Sequence, residues 1–91
     1  MKKQTIEKLR TEIDKIDEQI IRLLSDRMEK VKKIGEIKNK IGKSKLDITR
    51  FNKLLKKRIE LAKKYEISKD LIIKIWNLIH DEALRIEENI K

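Results

Sequence analysis

The 91 residues include no cysteine and no proline, and only two glycines, Gly35 and Gly42. The missing cysteine excludes disulfides and thiolate chemistry, and a cytoplasmic setting is the simplest expectation. With no proline and so little glycine, little interrupts the chain, which fits long helices joined by short connections. Aromatics are limited to Phe51, Tyr65 and Trp76, so there is no platform on which bases could stack. A single histidine, His80, cannot supply the repeated Glu-x-x-His ligands of a di-iron bundle, and no metal or cofactor site is indicated. Nowhere do eighteen apolar residues run together, and MKKQTIEKL has basic residues without an apolar run behind them. Neither a membrane span nor a signal peptide is expected.

Charge is what the chain has in quantity: 45% of its residues are charged and the formal net charge is +9. Residues 1–26 carry six Lys/Arg against six Asp/Glu, residues 27–64 fifteen against four, and residues 65–91 four against six. The middle of the chain is therefore the expected seat of anion binding. Residues 1–91 read as one small domain, short of what gives a monomer a generous core, and a partner chain is expected.

From Ile6 to Ile41, apolar residues recur at 6, 9, 13, 16, 20, 23, 34, 37 and 41, flanked by Leu24, Met28 and Val31. Steps of three and four predict one amphipathic helix of about 35 residues, roughly 50 Å long. Gly42 and the polar Lys43, Ser44 and Lys45 end it. Asp47 offers an N-cap to a second helix of about 18 residues, with Ile48, Phe51, Leu55, Ile59, Ala62 and Tyr65 on one face. Ser68 caps a third, whose stripe runs Ile72, Trp76, Ile79, Ala83, Ile86 and Ile90. The expected fold is all-α: one long helix with two shorter ones along it. So thin a sheaf leaves apolar surface uncovered, and an intertwined homodimer with antiparallel long helices would cover it.

Beyond Leu23 the long stripe continues at position 27, where an arginine stands in place of an apolar residue. Lys38 lies eleven residues further along the same face, and Arg10, between Leu9 and Ile13, borders the stripe. Arg50 opens the second helix behind the Asp47 cap. A buried cation needs an anion, from the protein or from a ligand. Any one of these residues alone fits a basic side chain snorkelling at a helix edge. Together they describe a pocket for a small polyanion such as a dicarboxylate.

LRTEIDKIDEQIIRLLSDRMEKVKKIGEIK, followed about ten residues later by LDITR, resembles the all-helical class of chorismate mutase. The resemblance runs from Leu9 to about Glu87 and lies in the order and spacing of L-R-x-x-I-D-x-I-D, the Arg27–Met28 pair, Lys38, and D-x-x-R at 47–50. It implies an intertwined helical dimer in which Arg10 reaches the neighbouring subunit's site. By the same resemblance Arg27 and Arg50 bind substrate within their own chain, Lys38 reaches the ether oxygen, and Asp47 lies near the ring hydroxyl. The substrate would be chorismate and the product prephenate, with no cofactor, nucleic acid or membrane involved.

Three positions depart from the commonest family pattern. Residue 51, often glutamate in that family, is Phe51; the usual glutamine near the ether oxygen is Glu87; an occasional serine one turn earlier is Ala83. A carboxylate at 87 would repel charge developing on the ether oxygen, so Glu87 must be protonated to donate a hydrogen bond. Phe51 also suits isochorismate pyruvate lyase, a close relative; an amino-chorismate mutase variant is a further alternative. Two readings of other classes are a basic helical nucleic-acid binder and a coiled-coil adaptor, the latter with no use for Arg27 on its seam. Trp76 is expected in the core, and His80 at its edge. Gly35, inside a helix, calls for close approach of another helix or of substrate.

Overall fold

The computed structural model describes residues 5–42 and 48–90, and side chains over the same residues except Ile48. Three helices follow in order: α1 (Ile6–Ile41), α2 (Ile48–Lys64) and α3 (Lys69–Glu88). All described regular structure is helical, as the apolar periods predict. Compactness divides the chain into residues 1–30 and residues 31–91, which are treated separately.

Residues 1–30 contain the first two-thirds of α1. Thr5 begins it: its Oγ1 accepts a hydrogen bond from the Lys8 amide at 3.0 Å, satisfying one of the donors a helix start leaves open. Along the stripe, Ile13, Ile16 and Ile20 remain 52%, 53% and 50% exposed, so this chain alone leaves half of each uncovered.

Residues 31–91 hold the described core. α2 and α3 pack against each other, and Leu54, Ala62, Ile72 and Ile79 form the buried seam between them. Leu54 is more deeply buried than Leu55, the residue the sequence put on that face. Two cross-helix pairs fix an antiparallel register: Phe51 stacks on His80, and the Arg58 guanidinium lies 5.8 Å from the Trp76 ring centroid. Trp76 is thus half-buried at the seam's edge rather than enclosed.

Helix ends follow local chemistry. Gly42 has φ 69 with nothing near its missing Cβ, so the left-handed backbone, and not packing, calls for glycine there. At the end of α2, Ile67 N–H donates to Ala62 O at 2.8 Å and Glu66 N–H to Lys63 O at 3.2 Å. This is the paired-bond helix stop, with Glu66 at φ 57 in the position glycine usually fills. The stop turns Tyr65 off the α2 face, and it is 64% exposed, contrary to the stripe expectation. Ser68 caps α3 as expected, accepting from Leu71 N–H at 3.3 Å. Asn89 ends α3 by donating its side-chain amide to Arg85 O at 2.8 Å, so Ile90, expected on the helix, lies just beyond it. The expected Asp47 cap falls outside the described residues.

Replacing Glu66 by glycine removes a β-carbon from a left-handed residue and is expected to stabilise the protein by about 0.5–1 kcal/mol net of glycine's entropy. Ser68→Ala removes a cap and is expected to cost about 1 kcal/mol. Thermal unfolding of both variants checks the opposite signs.

Candidate functional site

The candidate cations fall in both segments. In residues 1–30, Arg10 is exposed and Arg27 is half-buried, matching their places beside and on the α1 stripe. In residues 31–91, Lys38 is half-buried on the last turns of α1, and Arg50 is exposed on the first turn of α2. Burial separates Arg27 and Lys38 from Lys32, Lys33, Lys53, Lys56, Lys57, Lys63 and Lys64, which are all exposed and form a solvated face. Arg50 opens onto a shallow cleft with Thr49, Lys53, Lys57 and Arg58, a strongly cationic stretch of α2.

Glu87 is 7% exposed and is the buried charged residue among those described. Its position comes from Gly35. A β-carbon at Gly35 would stand 2.5 Å from Ile90 Cδ1, 3.0 Å from Glu87 Cγ and 3.4 Å from Glu87 Cα. The question the sequence left open at Gly35 is thereby answered in favour of another helix: α3 crosses α1 there with no room for a side chain. Lys38 lies one turn beyond Gly35, so the crossing brings the half-buried ammonium residue and the buried carboxyl residue to one region of the fold.

A groove of about 740 Å³ lies between α1 and α3, lined by Lys32, Glu36, Lys40, Arg85, Ile86 and Ile90 among others, and takes in none of the candidate residues. On its rim Arg85 donates to both oxygens of Glu82 at 2.7 Å. That hydrogen bond holds the Glu82 carboxyl below its ordinary range and the Arg85 guanidinium above its own. Both groups are exposed to water, and the pair belongs to the solvated surface.

The remaining departures lie on α2 and α3. Phe51 is half-buried with its ring centroid 4.0 Å from that of His80 and the planes 26° apart. Ala83, also half-buried, is one turn from both His80 and Glu87 on α3. His80 was read from the sequence only as an edge histidine. Residues 76, 80, 83 and 87 follow in steps of four, three and four, so His80 shares one stripe of α3 with Ala83 and Glu87.

The described residues thus form an all-helical protein with half-buried cations at Arg27 and Lys38 and one buried carboxyl residue, Glu87. Among the described residues no group of His, Asp and Glu could hold a metal ion, and no helix is long and apolar enough to cross a membrane. The family model of chorismate mutase type II matches residues 9–88, and the chain belongs to that family.

Curated relatives agree. The chain is 35% identical over 81 residues to a bifunctional chorismate mutase/prephenate dehydratase of Buchnera aphidicola, covering 89% of this chain and 21% of that one. It is 33% identical over 91 residues to the protein of the same name from Aquifex aeolicus, covering 97% and 25%. To a chorismate mutase of Methanocaldococcus jannaschii it is 29% identical over 84 residues, covering 90% and 85%. The chain thus spans about a fifth to a quarter of the bifunctional relatives and most of the archaeal one.

Gly35→Ala gains helix propensity but forces α3 outward. The net effect expected is a loss of about 1–2 kcal/mol, overpacking outweighing propensity. Ile90→Ala in the same chain should recover only part of it, because the Glu87 backbone contact remains. Denaturant unfolding of the single and double variants measures this directly.

Proposed function

We propose that this chain is a chorismate mutase, rearranging chorismate to prephenate. The family match over residues 9–88 carries the reading, since it spans all eight candidate residues: Arg10, Arg27, Lys38, Asp47, Arg50, Phe51, Ala83 and Glu87. The half-burial of Arg27 and Lys38 and the burial of Glu87 support it, because a solvated basic surface would have no use for them.

The rearrangement is concerted and needs neither a nucleophile nor obligatory proton transfer. The enzyme must hold a flexible dianion in its compact conformer and stabilise charge as the carbon–oxygen bond breaks ahead of carbon–carbon formation. Arg27, Arg50 and the partner subunit's Arg10 fix the two carboxylates through paired N–H donors. Lys38 sets a positive charge where the ether oxygen becomes more negative, and protonated Glu87 donates a hydrogen bond to the same oxygen. Asp47 serves the ring hydroxyl.

The functional unit in this reading is a homodimer. Its support is the stripe of Leu9, Ile13, Ile16, Ile20 and Leu23, whose exposure on one chain is more than a stable α1 leaves in water. Phe51 favours a second reading, isochorismate pyruvate lyase, because an apolar residue there offers no acceptor to a ring hydroxyl.

Offering the purified protein chorismate and isochorismate separately tests both, with prephenate expected from the first. Pyruvate and salicylate from the second would establish the lyase instead, and no product from either would remove both. Glu87→Gln keeps a hydrogen-bond donor at that oxygen without a charge and should retain more turnover than Glu87→Ala. Mixing inactive Arg10→Ala and Arg27→Ala chains should restore activity, since a heterodimer regains one site with all its arginines. Light scattering should give about twice the 11.0 kDa chain mass.

A further inference from the structure

The wall formed by α2 and α3 carries a group that the proposed reaction leaves unused. On the α3 stripe, His80 stands between Trp76 and Ala83, one turn from Ala83 and two turns from Glu87. Across from it is Phe51, the residue after Arg50. The stack, with centroids 4.0 Å apart and planes inclined by 26°, restrains the imidazole plane against the Phe51 ring. Among the described residues, no hydrogen bond engages either nitrogen. Nor are the nitrogens among the dry, unpartnered buried atoms, where Trp76 Nε1 alone of the described side-chain atoms is found. The nitrogens are therefore neither sealed from water nor engaged by a described side chain or main-chain group.

Chorismate has two carboxylates, an ether oxygen and one ring hydroxyl. Arginines take the carboxylates, Lys38 with Glu87 takes the ether oxygen, and Asp47 serves the hydroxyl, which has room for a second partner because a hydroxyl both donates and accepts. Phe51 has no polar atom to offer it, and neither has Ala83. The imidazole does, and it can accept from or donate to a hydroxyl according to its tautomer.

We propose that His80 is a substrate-binding residue, its ring nitrogen hydrogen-bonded to the hydroxyl of the bound dicarboxylate, with Phe51 as the aromatic backing that holds the imidazole in line. This rests on the mutase reading. Phe51 and His80 then form one specificity element: the pair moves the polar contact from α2 to α3. The preorganised ring gives up little side-chain freedom on binding, so the bond adds affinity at small entropic cost.

His80 is the only histidine, so its imidazole nitrogens give the only such signals in a 15N NMR spectrum of the whole protein. Turnover of chorismate is measured in the same preparation, and prephenate is then titrated in. The expected result is a change in the shift of one ring nitrogen that saturates with prephenate and settles on a single tautomer. Unchanged nitrogens in a preparation that converts chorismate overturn the role of His80 and leave the mutase standing; no conversion overturns both.

His80→Phe keeps the stack and removes the nitrogens. KM for chorismate should rise about five- to tenfold, the worth of one hydrogen bond, with kcat changed less than about twofold. The thermal midpoint should stay near that of the parent, and His80→Gln should recover part of the loss. Wild-type KM in a folded His80→Phe protein overturns the proposal, and should that variant not fold, the NMR result decides alone.

Discussion

At Gly35, α1 and α3 approach so closely that one methyl group would overlap Ile90 and press on Glu87. Small residues let helix backbones meet in this way, and dispersion contacts then come from main chain and β-carbons rather than from long side chains. The consequence reaches beyond packing. Glu87 is held against α1 by its own backbone, so its burial is a property of the crossing and not of a flexible side chain finding cover. Ile90, just past the Asn89 cap, keeps its side chain over the glycine.

Helix existence was legible because α1 repeats its apolar steps over ten turns, and its bounds follow from Thr5 and Gly42. The stripes of α2 and α3 were read less accurately at their ends. Tyr65 keeps the apolar spacing, yet the backbone turns at Glu66, a residue that gives no sign of left-handed geometry. Ile90 keeps the spacing too, but a side-chain amide at Asn89 stops the helix first. Leu54 and Leu55 sit side by side, and which of them is buried depends on the crossing with α3, which no periodicity in α2 encodes.

The candidate site is legible in a different sense. Arg27 stands out because it breaks an apolar stripe, and a broken stripe is visible in one sequence. Arg10, Lys38 and Arg50 gain meaning only from their spacing relative to it. His80 carries no such signal, because a lone histidine has an ordinary explanation at a core edge. What changes its standing is the Phe51 ring against it, a contact between α2 and α3 set by their antiparallel register.

Net charge says little about this protein's chemistry, whereas the depth of each charge says a great deal. Most of the +9 sits on lysines that water screens within about 10 Å, so it adds attraction for anions in general without choosing among them. A cation partly withdrawn from water interacts more strongly and has fewer neighbours to share it. Arg27 and Lys38 are placed in that way, while the exposed Arg10 and Arg50 become comparable only if a second chain covers them. The same cover is what the uncovered α1 stripe requires. In the proposed dimer a single association therefore meets two needs: it removes apolar surface from water, and it lowers the dielectric around arginines that would otherwise hold a dianion weakly.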